Sequence, residues 1–332
     1  MTTYKEIFGK YVKNYSSDPS SDIEGQIWYN STSGTFKSEV LLADAWAAGG
    51  NMGTARYSLG GAGTQTAGLA FGGASDPAPP GHFTATEEYN GSTWSPGGSL
   101  ATGRRRLAGA GTQTSGLAIG GAVAPVNTQS NVTEEYDGST WGPGGNLGTA
   151  RFGLAGCGIQ TAGLVFGGFD GTNTTNVTEE YDGSTWTAGG SLNTARQILA
   201  GAGTQTAALG FGGYIPSPPG ATAATESYNG TTWTSVNSMN TPRYLLAGAG
   251  IQTAALGFGG FTPAIRTGET ELWNGTSWSI SPASLTTATS NLAAAGTQPS
   301  GLAFAGNNPT TQTNATYEFT KAALTVKTIT TS

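Results

Sequence analysis

Residues Trp141 to Asn193 read WGPGGNLGTARFGLAGCGIQTAGLVFGGFDGTNTTNVTEEYDGSTWTAGGSLN. Slid along the chain, this stretch finds itself six times. Tryptophan recurs at 46, 94, 141, 186, 233 and 278, at intervals of 48, 47, 45, 47 and 45 residues. A period in the mid-forties carrying a di-glycine and a Trp in each unit is the mark of a β-propeller blade.

Each unit divides into four strands. Strand a is SLGGAG, RLAGAG, GLAGCG, ILAGAG, LLAGAG or NLAAAG, with almost nothing bulky after its leucine. Strands at a propeller axis crowd together, and small side chains let backbones approach, so strand a is predicted to be innermost. A turn holding Gln65, Gln113, Gln160, Gln205, Gln252 or Gln298 leads to strand b, GLAFGG and its variants, whose apolar run suits a strand sandwiched between neighbours. Strand c carries Glu-x-Tyr or a variant and ends at Tyr89, Tyr136, Tyr181, Tyr228, Trp273 or Phe319. Asn-Gly or Asp-Gly follows in five units, the dipeptide of a type I′ hairpin turn. Strand d then begins with the Trp.

The last unit has strands a, b and c but no Trp. The segment Ala45–Gly50, which precedes the first strand a, is expected to supply its strand d and so remove an open sheet edge. The fold class is therefore an all-β, six-bladed propeller with four-stranded blades over residues 45–321. An N-terminal arm and hairpin precede it (1–44), and a surplus strand follows (322–332). Ala323–Thr331 is expected to pair with the hairpin region or with Glu39–Leu42; in the competing reading it is itself the missing strand d. Within the arm, Tyr4, Ile7, Phe8, Tyr11 and Val12 fall at helical spacing. Gln26–Tyr29 and Thr35–Lys37 flank Asn30–Gly34 as a hairpin. Two strands alone are marginal in water, so this hairpin must pack on the chain or on a partner.

Composition narrows the function classes. Glycine is high, 54 of 332 residues, but it falls at fixed places in each unit. The net charge of −6 offers no basic surface to nucleic acid. A single Cys excludes a disulfide framework and a thiolate metal site. No 18-residue apolar run is present, so no membrane insertion is expected, and the first residues lack the apolar core of a secretory signal. The six lysines all lie outside the repeats, whereas the eight arginines lie within Arg56–Arg266.

The combination of di-glycine, Glu-x-Tyr, a short spacer and Trp resembles the kelch repeat. More narrowly, the GTQT turns, the TEEYNGSTW runs and the GQIWYNSTSGTFK hairpin resemble kelch-like virion proteins of tailed bacteriophages. The first resemblance implies a kelch-type propeller. The second implies a structural or fibre protein on a virus particle that touches the host surface. The sixth unit departs from the pattern, with Ala305-Gly306 for the di-glycine and Tyr317-Glu318-Phe319 for Glu-x-Tyr.

Arg56, Arg104, Arg151, Arg196 and Arg243 open five units, and Glu87, Glu134, Glu179, Glu226 and Glu271 sit in the same five strands c. The sixth unit has Thr289 and Tyr317, so both partners vanish together. An Arg–Glu pair within each blade explains this; a ring of arginines for an anionic sugar, as in sialidase-like propellers, is the functional alternative. The repeated Trp reads as inter-blade core. His82 alone builds no metal site, and the copper-dependent kelch oxidases need several His ligands. Cys157 replaces an alanine and reads as a small buried residue. DGSTW at Asp137–Trp141 is one residue short of a sialidase Asp-box, and triplets such as Asn90-Gly91-Ser92 read as turns.

The loops between strands b and c differ in length and composition, and strand geometry places all six on one face with the d-to-a links. Loops can vary there without disturbing the blades. Phe83, Phe169, Asp170, Tyr214, Phe261 and Arg266 are the candidate recognition residues on that face; Phe8, Trp28 and Tyr29 are candidates for anchoring. The expected function is a non-enzymatic virion component with no cofactor, made without a signal peptide and present in several copies. Its arm would dock to other virion proteins, and its face would meet a host-surface glycan or protein. The alternatives are a carbohydrate-active propeller enzyme, for which the loops offer only Asp76, Asp170 and Glu269 in three different units, and a cytosolic kelch-type interaction module.

Overall fold

The computed structural model describes residues 12–19, 26–76 and 81–329. It is all-β, with no helix among the described residues. The chain divides into two compact units, residues 1–45 with 321–332, and residues 46–320.

The larger unit is propeller-like. Its sheets 1 to 5 span residues 60–97, 108–143, 155–188, 200–236 and 247–280, each with four strands side by side in the order a-b-c-d. A sixth sheet contains Ala293–Gly296, Ser300–Phe304 and Thr316–Thr320, and beside Thr316–Thr320 lies Ala45–Ala48. Strand a is small because neighbouring strands a nearly touch. A Cβ added to Gly109 would stand 2.3 Å from the carbonyl oxygen of Gly61 in sheet 1. The di-glycine supplies left-handed backbone, with φ of 67° at Gly72 and 97° at Gly73, and Ala305 keeps that conformation in sheet 6 at φ 59°.

The same bonds recur at each junction between sheets. Trp94 donates its indole N–H to Thr316 of sheet 6, Trp141 to Thr86 of sheet 1, and Trp186, Trp233 and Trp278 follow the pattern, until Trp46 donates to Thr270 of sheet 5. The turn glutamines reach back in the same sense: Gln113 donates to the carbonyls of Gly68 and Tyr89, and Gln65 to those of Gly301 and Phe319. Trp rings also pack on the phenylalanine that ends strand b of the preceding sheet, as Trp141 does on Phe71 at 4.9 Å between centroids. Such aromatic pairs add about 0.5–1.5 kcal/mol beyond area burial.

Glu-x-Tyr does two jobs. The first Glu bonds within its own sheet: Arg56, Arg104, Arg151, Arg196 and Arg243 meet Glu87, Glu134, Glu179, Glu226 and Glu271 at 2.8 to 2.9 Å. These arginines are wholly buried. Their Nη1 groups donate to two carbonyls, those of Gly72 and Ala85 in the case of Arg56, at the two ends of the b-to-c loop. The second oxygen of the Glu accepts a backbone N–H of the incoming link, Gly148 onto Glu179 for example. A buried, bonded guanidinium cannot meet a ligand, so the ring-of-arginines reading fails.

The second Glu bonds across the junction. The Tyr136, Tyr181 and Tyr228 hydroxyls donate to Glu88, Glu135 and Glu180 of the preceding sheet at 2.5 Å, and Tyr89 donates to Glu318 at 2.6 Å. Where the Tyr becomes Trp273, the preceding Glu is Ser227; where it becomes Phe319, that position is Leu272. Partners are lost in pairs, so none of these second glutamates is left without its tyrosine donor.

In the smaller unit the sheet order is Lys13–Tyr15, Ile27–Asn30, Thr35–Leu42, Ala323–Thr328. The hairpin pairs Asn30 with Thr35 and Ile27 with Ser38. The C-terminal strand runs antiparallel to Thr35–Leu42, with Val326 opposite Glu39. Of the residues at helical spacing in the arm, Tyr4, Ile7, Phe8 and Tyr11 lie outside the described residues. Val12 is not helical, and Lys13–Tyr15 pairs parallel with the hairpin.

Arg151→Ala is expected to lower unfolding stability by about 3–5 kcal/mol, because Glu179 stays buried without its cation; urea denaturation reads this directly. A pH dependence follows from the tyrosines. Burial, and then the neighbouring carboxylate, push the Tyr136, Tyr181 and Tyr228 phenols up to about 12. An unperturbed phenol titrates near 10. The folded state therefore favours the protonated phenol. That stability is complete below about pH 10 and lost as pH rises through about 12. The urea midpoint should be insensitive to these groups at neutral pH and fall across that alkaline window. Tyr136→Phe should start less stable and lose part of the fall.

Candidate functional site

In sheets 1 to 5 the two ends of the b-to-c loop are tied to the buried arginine below, and the d-to-a link is tied to the same Arg–Glu pair, as at Arg151 and Glu179. All variable segments of the larger unit therefore rise from one side. The opposite side carries the short turns, closed by local bonds such as Asn90 Oδ1 accepting from the N–H groups of Ser92 and Thr93.

At the centre of the variable side is a ring of six residues, one from the start of each strand a: Ser58, Arg106, Gly153, Ile198, Leu245 and Asn291. All six are left-handed, with φ of 56°, 53°, 66°, 49°, 55° and 56°. The N–H of each donates to the carbonyl of the ring residue before it, at 2.6 to 3.0 Å, and Ser58 donates to Asn291. The backbone bonds are thus fully used within the ring, and the side chains play no part in them except for Ser58 Oγ, which donates to Asn291 Oδ1. A β-branched residue such as Ile198 in this conformation is a genuine outlier. Strain of this kind is held only where the surroundings over-determine it.

The ring lines an axial cavity of about 80 Å³. Its side chains divide it in two. Asn291, Ser58 and Arg106 are consecutive and polar; Gly153, Ile198 and Leu245 are consecutive and apolar. Beside each ring residue sits another variable one, and these pair with the candidate loops: Tyr57 with Ala74, Arg105 with Ala122, Phe152 with Phe169, Gln197 with Tyr214 and Tyr244 with Phe261.

The candidate residues separate into two patches and a remainder. Tyr214, Phe261 and Arg266 come together through Tyr244, whose ring lies 5.7 Å from Tyr214 and 5.6 Å from Phe261, with Arg266 over Phe261. Phe169 packs instead on Phe152 at 5.3 Å. Asp170 serves its own loop: its carboxylate accepts the N–H groups of Thr172 and Asn173, and the bond from Asn173, followed by that from Thr172, lowers its pKa. Phe83 joins neither patch; its backbone bonds Gly73 and Arg104, in the place where other loops have Ser130 or Thr175.

Trp28 is fully buried, with its indole N–H donated to Asp18, which also binds Asn30 and Lys37. Its ring is therefore not offered to a partner, because exposing it would strip both the packing and the indole's acceptor. Tyr29 is half-buried against Phe36, and Phe8 lies outside the described residues. Cys157 is buried and its thiol is pushed up to about 12 by burial. No group of His, Cys, Asp or Glu among the described residues could hold a metal ion, and no helix is long and apolar enough to cross a membrane.

Sequence reasoning passed over the ring and its neighbours. The signal was present: between the Arg and the Leu of RYSL, RRRL, RFGL, RQIL, RYLL and TSNL, two positions vary freely inside an otherwise repeated run.

The ring conformation can be tested without a ligand. Left-handed backbone costs an ordinary L-residue about 1–2 kcal/mol, and asparagine tolerates it. Ile198→Asn is expected to raise stability by about 1 kcal/mol in urea unfolding, against the loss usual on truncating a half-buried Ile.

No protein-family model matches the chain, and comparison with curated proteins gives no match.

Proposed function

We propose that residues 46–320 form a six-bladed, kelch-type β-propeller closed by the strand at Trp46, and that the protein is a non-enzymatic structural or fibre component of a phage virion. In this reading residues 1–44 dock to other particle proteins, several copies are present, and the variable face meets a host-surface glycan or protein. Support for the propeller comes from the cyclic run of Trp, Gln and backbone bonds through all six sheets. The virion assignment rests on the motif resemblance.

One observation carries the recognition role. Variation in length lies on one side of the larger unit, together with the freely varying pair of residues at each turn around its centre, while the bonds between sheets repeat with few substitutions. A purely structural ring has no use for a different pair of side chains at each turn around its axis. A binding surface does, because each position meets a different part of the ligand. The loop carboxylates Asp76, Asp170 and Glu269 come from three separate sheets, and Asp170 is committed to its own turn, which weighs against a carbohydrate-cleaving site.

Quantitative mass spectrometry of purified particles is expected to find the chain in multiple copies, and antibody raised to the variable side should block attachment to host cells. A chain present in lysate and absent from particles overturns the virion reading. Undiminished attachment with the antibody bound overturns the recognition reading.

A further inference from the structure

We infer that the axial cavity receives the carboxylate of an acidic saccharide, and that Arg106 is the cation that holds it. This deepens the recognition role proposed for the variable side and rests on it. Of the eight arginines, five are consumed by their glutamates. Arg105 donates to Asn127 and Tyr57, and Arg266 to Ser290. Arg106 is different. Its guanidinium lies over the Phe152 ring at 5.6 Å, and no group among the described residues accepts a hydrogen bond from it, whereas the five paired arginines share only the unpartnered Nε. A guanidinium presents five donors in a planar fork that matches a carboxylate, and the half-buried Arg106 leaves donors open to one. Asn291 adds a second donor: its Oδ1 accepts from Ser58, and its Nδ2 has no partner among the described residues.

The other half of the cavity says what stands beside the carboxylate. Gly153, Ile198 and Leu245 give an apolar wall, so the ligand has a charged edge and a C–H face close together. A cavity of about 80 Å³ has room for a carboxylate, with the rest of the ligand toward its open side. A sugar ring then rests on the rim, where Phe152 packs on Phe169. Sugar acids combine these features, whereas an acidic peptide has no rigid C–H face to lay on the rim. Ligand sites of this kind use few polar groups, placed to fix orientation.

Calorimetric titration of the full chain with trigalacturonate, its fully methyl-esterified form and hexaglutamate tests the inference. Trigalacturonate is expected to bind at least tenfold tighter than the ester, and the Arg106→Gly variant at least tenfold more weakly than the parent. Arg106→Gly should keep its fold, since Gly153 occupies the equivalent ring position, and the comparison of acid with ester needs no variant. Equal binding of acid and ester, preference for hexaglutamate, undiminished binding by Arg106→Gly, or no binding of trigalacturonate overturns the inference. If antibody to the variable side still blocks host attachment in any of those cases, the recognition role survives and only the carboxylate assignment falls.

Discussion

Six backbone N–H groups around one axis have to find acceptors, and each finds the carbonyl of its neighbour in the preceding sheet. That cyclic bond fixes the left-handed backbone at Ser58, Arg106, Gly153, Ile198, Leu245 and Asn291. It also sets the close approach that strips strand a of side chains: Gly61 and Gly109 lie three residues after ring residues Ser58 and Arg106. Because main-chain atoms make the bond, the ring does not care which side chain it carries. The residues nearest the axis are therefore both the most constrained in backbone and the least constrained in identity. A scaffold built this way leaves variable chemistry at its centre.

The remaining polar groups are arranged so that a sheet with both carboxylates, as in sheets 1 to 3, stabilises itself through one and its neighbour through the other. The self-directed pair, Arg with the first Glu, also clamps both ends of the loop above it. Loops can then lengthen or change without loosening the sheet. The neighbour-directed pair, Tyr with the second Glu, makes four of the junctions sensitive to both of their sheets. Sheet 6, which contains segments from the beginning and the end of the larger unit, relaxes the first pair to Thr289 and Tyr317 yet keeps Glu318 for Tyr89. What is retained there is the bond across the junction.

Features with a local backbone cause were legible in the sequence. The di-glycine, the Asn-Gly turns and the small strand a each answer a steric demand within a few residues, and repetition made them visible. The Arg–Glu pair was legible because both members vanish together in one unit. The Tyr–Glu pair has the same kind of signature, Ser227 with Trp273 and Leu272 with Phe319, but its members lie in successive units, so reading the units one at a time hides it. The axial ring was harder still. Nothing about Ile198 or Leu245 suggests left-handed backbone, since that conformation comes from the cyclic bond and not from the residue. Trp28, outside the repeats, is a candidate anchor by sequence; its indole in fact bonds Asp18, ten residues away, a contact that no repeat makes visible.

The division between the repeated bonds and the free positions explains why the candidate loops and the ring belong to one surface. Each ring residue is preceded by a residue that pairs with the b-to-c loop of its own sheet, as Phe152 does with Phe169 and Tyr244 with Phe261. A change in a loop is thus felt one residue from the ring, and a change in the ring is felt at the root of a loop. Clamped from below by the buried arginines and joined at the centre by the left-handed ring, the loops have no freedom to vary independently of the cavity. Selection for one ligand would then act on both together.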